Sequence, residues 1–193
     1  MKKIPCLFER DFCQRPPRLL PLVTPGCEWV TRGEGIATRK WDGTACAIIG
    51  GELYARLDCR NGRIPPGGAI PCGDPDPVTG HWPHWIRADR PEDVWIRAAR
   101  LDWAEDLLDG TYEAIGPKIG ANHEHVAKHQ LRLHGADVIP ECPRSFDGLR
   151  AFLVGQTIEG VVFHHADGRK VKLRRDDYGF DWPIRDAISR ETA

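Results

Sequence analysis

The distribution of proline constrains this chain more than any other feature. Seven of its sixteen prolines fall between residues 64 and 91, in runs such as Pro65-Pro66-Gly67-Gly68 and Asp74-Pro75-Asp76-Pro77. Proline fixes φ and has no backbone N–H to give, so this density predicts a long loop without a regular element. The loop ends on His81-Trp82-Pro83-His84-Trp85, an aromatic cluster that predicts docking on the protein surface.

On either side the pattern is regular. Before the loop, Gly35 to Lys40 leads through Asp42-Gly43 to an apolar run, Thr44 to Ile49. Gly50-Gly51 is a hairpin signal, and Leu53, Ala55 and Leu57 then alternate with polar neighbours. After the loop, Pro91 suits a first helical turn, and Val94, Ala98, Leu101, Ala104 and Leu108 recur at helical spacing over 93–108. Asp109-Gly110 stops that helix ahead of a strand, Thr111 to Ile115. A second helix is predicted near Ser145, with Phe146, Leu149, Phe152 and Leu153 on one face. Strands Ile158 to His164 and Arg169 to Leu173 follow, joined by the hairpin signal Ala166-Asp167-Gly168. The tally is α+β with mainly antiparallel pairing. Residues 1–28 read as an N-terminal arm or edge segment, and 29–193 as one domain.

Composition narrows the function classes. The 27 Lys+Arg against 28 Asp+Glu give a net charge of -1, so a polyanion site has to come from local clustering. Such a cluster exists near the C-terminus: Arg169, Lys170, Lys172, Arg174 and Arg175 stand against Glu159 and Asp167. No apolar stretch approaches the roughly 20 residues of a spanning helix. After Met1-Lys2-Lys3, the charges of Glu9, Arg10 and Asp11 interrupt any signal-peptide core. A cytoplasmic protein without membrane contact is expected. The seven cysteines, Cys6, Cys13, Cys27, Cys46, Cys59, Cys72 and Cys142, contain no C-x-x-C pair and read as reduced, mostly buried thiols.

Walker loops, G-x-G-x-x-G, G-x-S-x-G and H-E-x-x-H are all missing. What remains is a set of polar clusters at strand ends. Lys40-Trp41-Asp42-Gly43 sets an amine near a carboxylate and a glycine that lets backbone approach a ligand. Glu159-Gly160-Val161-Val162 puts a carboxylate at a strand mouth. In Lys170-Val171-Lys172, alternation sends both ammonium groups to one face, a cradle for phosphate.

Together with Thr111-Tyr112-Glu113, these clusters resemble, in order, motifs I, III, IV and V of the covalent nucleotidyltransferases, which include ATP-dependent ligases and capping enzymes. Lys40 to Cys46, Leu53 to Asp58, Gly80 to Trp85, Glu113 to Gly116 and Ile158 to Pro183 more closely resemble the vertebrate-type 5′-to-3′ RNA ligase family. Ala45 stands where DNA ligases and capping enzymes carry arginine, which favours the RNA-ligase branch. The resemblance implies two mainly antiparallel sheets flanked by helices with nucleotide between them, while the 193 residues are expected to leave no room for the OB-fold that DNA ligases and capping enzymes append.

The implied activity is ATP-dependent joining of RNA 5′-phosphate and 3′-hydroxyl ends, as in RNA repair, through a lysyl-adenylate. Lys40 is the implied nucleophile, with Lys170 and Lys172 on the α-phosphate. Glu159 is the implied ligand of Mg²⁺ or Mn²⁺, and Glu113 supports the metal or the ribose. Asp42 and Gly43 belong to the nucleotide-binding set. Either Arg56 or Arg60 supplies the arginine that contacts the nucleotide. The implied partners are ATP and RNA ends, and a monomer is favoured. A GTP-dependent capping-type transferase and a non-catalytic nucleotide- or RNA-binding module stay open as alternatives.

Other residues carry less. His123, His125, His129, His134, His164 and His165 lack a matching ligand set for structural zinc. His123 and His125 read as a surface loop near the nucleotide, and His164 as a neighbour of the site. Tyr112 alternates away from Glu113 and reads as core. Trp29, Trp41, Trp95, Trp103 and Trp182 read as core or loop anchors, with Trp82 and Trp85 also candidates for base stacking.

Overall fold

The computed structural model describes residues 4–60, 62–101 and 107–184. Met1, Lys2, Lys3, Trp103 and Ala104, named above, lie outside them. Residues 4–41 give strands β1 (Phe8–Asp11) and β2 (Arg18–Val23), a single helical turn α1 (Glu28–Thr31) and strand β3 (Ile36–Lys40). Residues 42–134 give β4 (Thr44–Ile49), β5 (Glu52–Cys59), β6 (Ile70–Pro71), β7 (Trp82–Arg87), helix α2 (Val94–Leu101), β8 (Gly110–Ile115) and β9 (Gln130–Leu133). Helix α3 (Phe146–Val154) and strands β10 (Gly160–His164) and β11 (Lys170–Arg174) complete the described elements. The protein is α+β, and the pairs between its described strands are antiparallel.

The described chain divides into two units, residues 42–134 and residues 4–41 with 135–184. In the second, β3 is recruited from far along the sequence to form a three-stranded sheet of order β11-β10-β3. One face of that sheet is apolar: Ala37, Val161, Phe163, Val171 and Leu173 are all buried. They pack with Trp29 and Val30 of α1, Leu149 and Leu153 of α3, and Leu7, Phe8 and Leu19 around the β1–β2 hairpin. The N-terminal residues run parallel to β11: the Leu7 N–H donates to the Lys172 carbonyl, and the Lys172 N–H to the Pro5 carbonyl, each at 2.9 Å. Helix α3 begins where serine predicts it, with Ser145 Oγ accepting the Gly148 N–H at 3.2 Å.

The other unit is built on a six-stranded sheet of order β6-β7-β5-β4-β8-β9. Cys46, Ile48, Leu53, Ala55, Tyr112, Ala114 and Leu131 bury its apolar face with Ile96 and Ala99 of α2. Gly50 and Gly51 turn β4 into β5 with φ of 57° and 75°, a conformation that favours glycine. Asp109 fixes this turn by accepting both glycine N–H groups, at 2.7 and 3.1 Å.

Two expectations need correction here. The proline-dense stretch does hold regular structure, since β7 pairs with β5 along its whole length and β6 pairs with β7. Only Pro83 interrupts the six residues of β7, and its carbonyl still accepts the Cys72 N–H at 2.9 Å. The expected docking is present: the Trp82 indole donates to the Gly73 carbonyl at 2.8 Å. The helix expected over 93–108 is described over Val94–Leu101, and residues 102–106 lie outside the described ones. A 3-10 turn, Pro91–Asp93, precedes it, and Leu107 and Leu108 are not helical. Asp93 accepts from the Arg90 guanidinium at 2.7 and 2.8 Å, which holds the entry to the helix.

Candidate active site

Strand register groups the first set of candidate residues. Across the three-stranded sheet, Lys40, Gly160 and Arg174 form one row, and Thr38, Val162 and Lys172 the next. A third row holds Ile36, His164 and Lys170. Side chains alternate along a strand, so these residues share the face opposite the buried apolar one. Gly160 keeps the first row tight: a Cβ there would stand 2.2 Å from the Leu173 carbonyl oxygen.

The Lys40 ammonium is ion-paired with the Glu159 carboxylate, which is nearly buried at the mouth of β10. Lys40 Nζ also lies 3.4 Å from the Trp41 carbonyl oxygen. Burial pushes Lys172 below the ordinary lysine range, and the charges of Arg174 and Lys40 push it further. Burial lowers Lys170 as well. A cationic face that has given up part of its hydration attracts phosphate oxygens more strongly than a solvated one.

Several residues that support this set are held by partners far away in sequence. Asp177 is buried and accepts from the guanidinium of Arg10, from Arg174 Nη2 at 3.2 Å and from the Arg174 N–H at 2.8 Å. It thereby fixes Arg174 in the row of Lys40. Asp137 accepts the Trp41 indole N–H at 2.7 Å, and the Arg39 guanidinium lies 3.7 Å from the Trp41 ring centroid. These partners are separated by up to 167 residues in sequence, and no local spacing encodes such pairings.

The other unit holds the second set. Gly43 sits where a Cβ would come within 2.2 Å of the Ala114 carbonyl oxygen, so glycine is required by contact with β8. Asp42 accepts from His123 Nδ1 at 2.7 Å, and its own N–H donates to the Glu124 carboxylate at 2.8 Å. Glu113 lies on the sheet face away from the apolar core, paired with Arg132 across β9. Its carboxylate takes a hydrogen bond from His134 Nε2 at 2.9 Å, while His134 Nδ1 lies 3.0 Å from Thr111 Oγ1. Tyr112 is buried on the opposite face, as alternation predicts, and its hydroxyl donates to the Leu108 carbonyl at 2.7 Å.

Arg56 and Arg60 differ in what surrounds them. Arg60 is exposed and bonded to Asp58, at 3.3 Å from Nη2. Arg56 is half-buried on strand β5, and its Nε has no hydrogen-bond partner among the described residues. Burial pushes the Asp58 carboxyl up, but His81, Arg60 and Arg56 outweigh it and hold it below the usual range. Trp85 is buried in β7, whereas Trp82 is half-buried beside His84, 4.5 Å between ring centroids. His129 stacks on Trp95 at 5.1 Å, so the histidines are dispersed among separate roles. Among the described residues no three His, Cys, Asp or Glu side chains are grouped to hold a metal ion by themselves.

Fold and site together define an α+β protein that presents an ion-paired lysine and further cations from one face of an antiparallel sheet. The chain belongs to the RNA ligase 1 family, whose model matches residues 85–192, more than half of its length. It is similar to RNA ligase 1 of Pongo abelii, 37% identical over 90 residues that make up 42% of this chain and 28% of that protein. It is also similar to RNA ligase 1 of Rattus norvegicus, 31% identical over 109 residues, 50% of this chain and 32% of the other. The aligned segments thus span less than a third of these relatives. The family match includes Glu113, Glu159, Lys170 and Lys172, while Lys40 lies outside it and is tied to it through Glu159. No helix among the described residues is long and apolar enough to cross a membrane.

Proposed function

We propose that this chain carries the nucleotidyltransferase fold and chemistry of an ATP-dependent RNA ligase, with Lys40 as the nucleophile. The observation that carries the reading is the row arrangement: Lys40 ion-paired to Glu159, with Lys172 and Arg174 beside it on one sheet face. In the proposed first step Lys40 first loses its ammonium proton to solvent, and the neutral amine then attacks the α-phosphorus of ATP. An N–P bond forms, the bond to the bridging oxygen breaks, and pyrophosphate leaves. An RNA 5′-phosphate oxygen then attacks the same phosphorus and releases Lys40, and finally an RNA 3′-hydroxyl displaces AMP.

Lys170 and Lys172 offset charge on the nonbridging oxygens during the two transfers of AMP. Arg56, Asp42 and Gly43 are proposed contacts for the nucleotide, and Arg56 is preferred over Arg60 because its Nε still lacks an acceptor among the described residues. Glu159 in one unit and Glu113 in the other are each proposed as a carboxylate that suits a hard cation such as Mg²⁺ or Mn²⁺. Such an ion is held by one or two carboxylates together with phosphate oxygens, without a cage made by protein alone. Bound there, it would neutralise charge on the phosphates.

Incubation with α-labelled ATP or GTP tests this reading. The expected result is a covalent adduct with ATP that is lost in Glu159→Ala and in Lys172→Ala while both variants keep the wild-type circular dichroism spectrum. An adduct with GTP alone would assign a capping-type reaction. Full adduct yield in either variant would remove the roles given to these side chains.

A further inference from the structure

The segment that follows the nucleophile is gripped from one loop. Asp42 is held twice by neighbouring residues: His123 donates to its carboxylate at 2.7 Å, and Glu124 accepts its backbone N–H at 2.8 Å. A carboxylate can only accept, so His123 must carry its proton on Nδ1. The loop has an unusual backbone on both sides of this pair. Asn122 and His125, on either side of the gripping pair, adopt φ of 52° and 50°, a left-handed conformation that costs non-glycine residues energy.

Local bonds sustain that conformation. The Asn122 side chain bonds both the N–H and the carbonyl of Val126 at 3.2 Å, and the His125 N–H donates to the Asn122 carbonyl at 2.8 Å. Buried Ile119 anchors the start of the loop in the core. Backbone strain persists where the surroundings over-determine it, and here its product is one side chain and one carboxylate aimed at a single residue.

We propose that His123 and Glu124 are positioning residues for the adenylylation assigned to Lys40: by fixing Asp42 they set the backbone two residues beyond the nucleophile. The inference rests on the proposed ligase reading. Rates of covalent transfer fall steeply when the attacking atom is misplaced by about 1 Å, on the order of a hundredfold. His123→Ala is therefore expected to lower the rate of adduct formation at saturating ATP by about 10- to 100-fold, with a smaller change in the ATP concentration for half-saturation. His123→Asn, whose amide N–H replaces the Nδ1 donor, restores most of the rate, and Glu124→Gln, which still accepts from Asp42, outperforms Glu124→Ala.

A His123→Ala protein that reacts at the wild-type rate overturns the proposal. So does a loss that asparagine fails to relieve, since it would mean that the imidazole acts by more than its hold on Asp42. Amide exchange at Asp42, measured by NMR, reads the grip without any reaction. Protection falls at least tenfold in Glu124→Ala, and unchanged protection overturns the grip. A wild-type protein that forms no adduct defeats the ligase reading, and exchange alone then decides on the loop.

Discussion

Lys172 sits half-buried on the sheet face that also carries Lys40 and Arg174, with too little carboxylate around it to offset its lost hydration. A group placed at such a cost is expected to matter for function more than for stability. Lys172→Met should raise the thermal unfolding temperature while abolishing adduct formation; a lower unfolding temperature would contradict the assignment. The pH dependence has a definite sign. The folded protein holds the Lys172 proton less tightly than the unfolded chain does, so wild-type stability rises with pH from the lowered value up to the ordinary lysine value of about 10.4. Subtracting the Lys172→Met curve, measured by urea unfolding, should isolate that rise. The thiols make a separate case. Burial pushes Cys46 far above the usual thiol range and Cys142 up to about 11, whereas Cys13 is exposed. Alkylation of the native protein at pH 8, followed by peptide mapping, should modify Cys13 quickly and leave Cys27, Cys46, Cys59 and Cys142 almost untouched. Fast labelling of Cys46 would show that the six-stranded sheet opens locally.

At the scale of elements, the β10–β11 pair is the part most sensitive to a single atom. Gly160→Ala brings its Cβ against the Leu173 carbonyl, so β11 must move away from β10 and carry Lys172 and Arg174 with it. The expected cost is about 1–3 kcal/mol in denaturant unfolding, together with loss of the adduct. An unchanged midpoint would mean that the strands can separate without strain. Alternation made this pair legible in the sequence: Val171 and Leu173 pointed to the core and Lys170 and Lys172 away from it, as observed. The hairpin glycines and the serine cap were legible for the same reason, since each is a local rule acting over four residues or fewer. Strand β7 was not, because five residues of good strand sequence around Pro83 were hidden within a stretch rich in proline. Nor were the ends of the helix expected over 93–108, since Asp93 lies in a 3-10 turn and Leu107 and Leu108 are not helical although the apolar periodicity reaches Leu108.

At the scale of the molecule, the antiparallel sheets and the identity of the strand-end clusters could be read from sequence, but their assembly could not. That β3 joins β10 and β11 follows from pairing across more than a hundred residues, and it alone brings Lys40 to Glu159. Asp177 with Arg10 in the unit that β3 belongs to, and Asp42 with His123 and Glu124 in the other, are likewise pairings of residues far apart in sequence. The family match covers residues 85–192 and so leaves the lysine itself to be tested. The most direct measurement is to react the protein with ATP and a divalent cation and locate the attached AMP by tandem mass spectrometry of peptides. The account predicts AMP on the peptide containing Lys40, joined through Nζ, and none on Lys40→Arg. AMP on another residue, or no AMP on the protein in either Mg²⁺ or Mn²⁺, would contradict it.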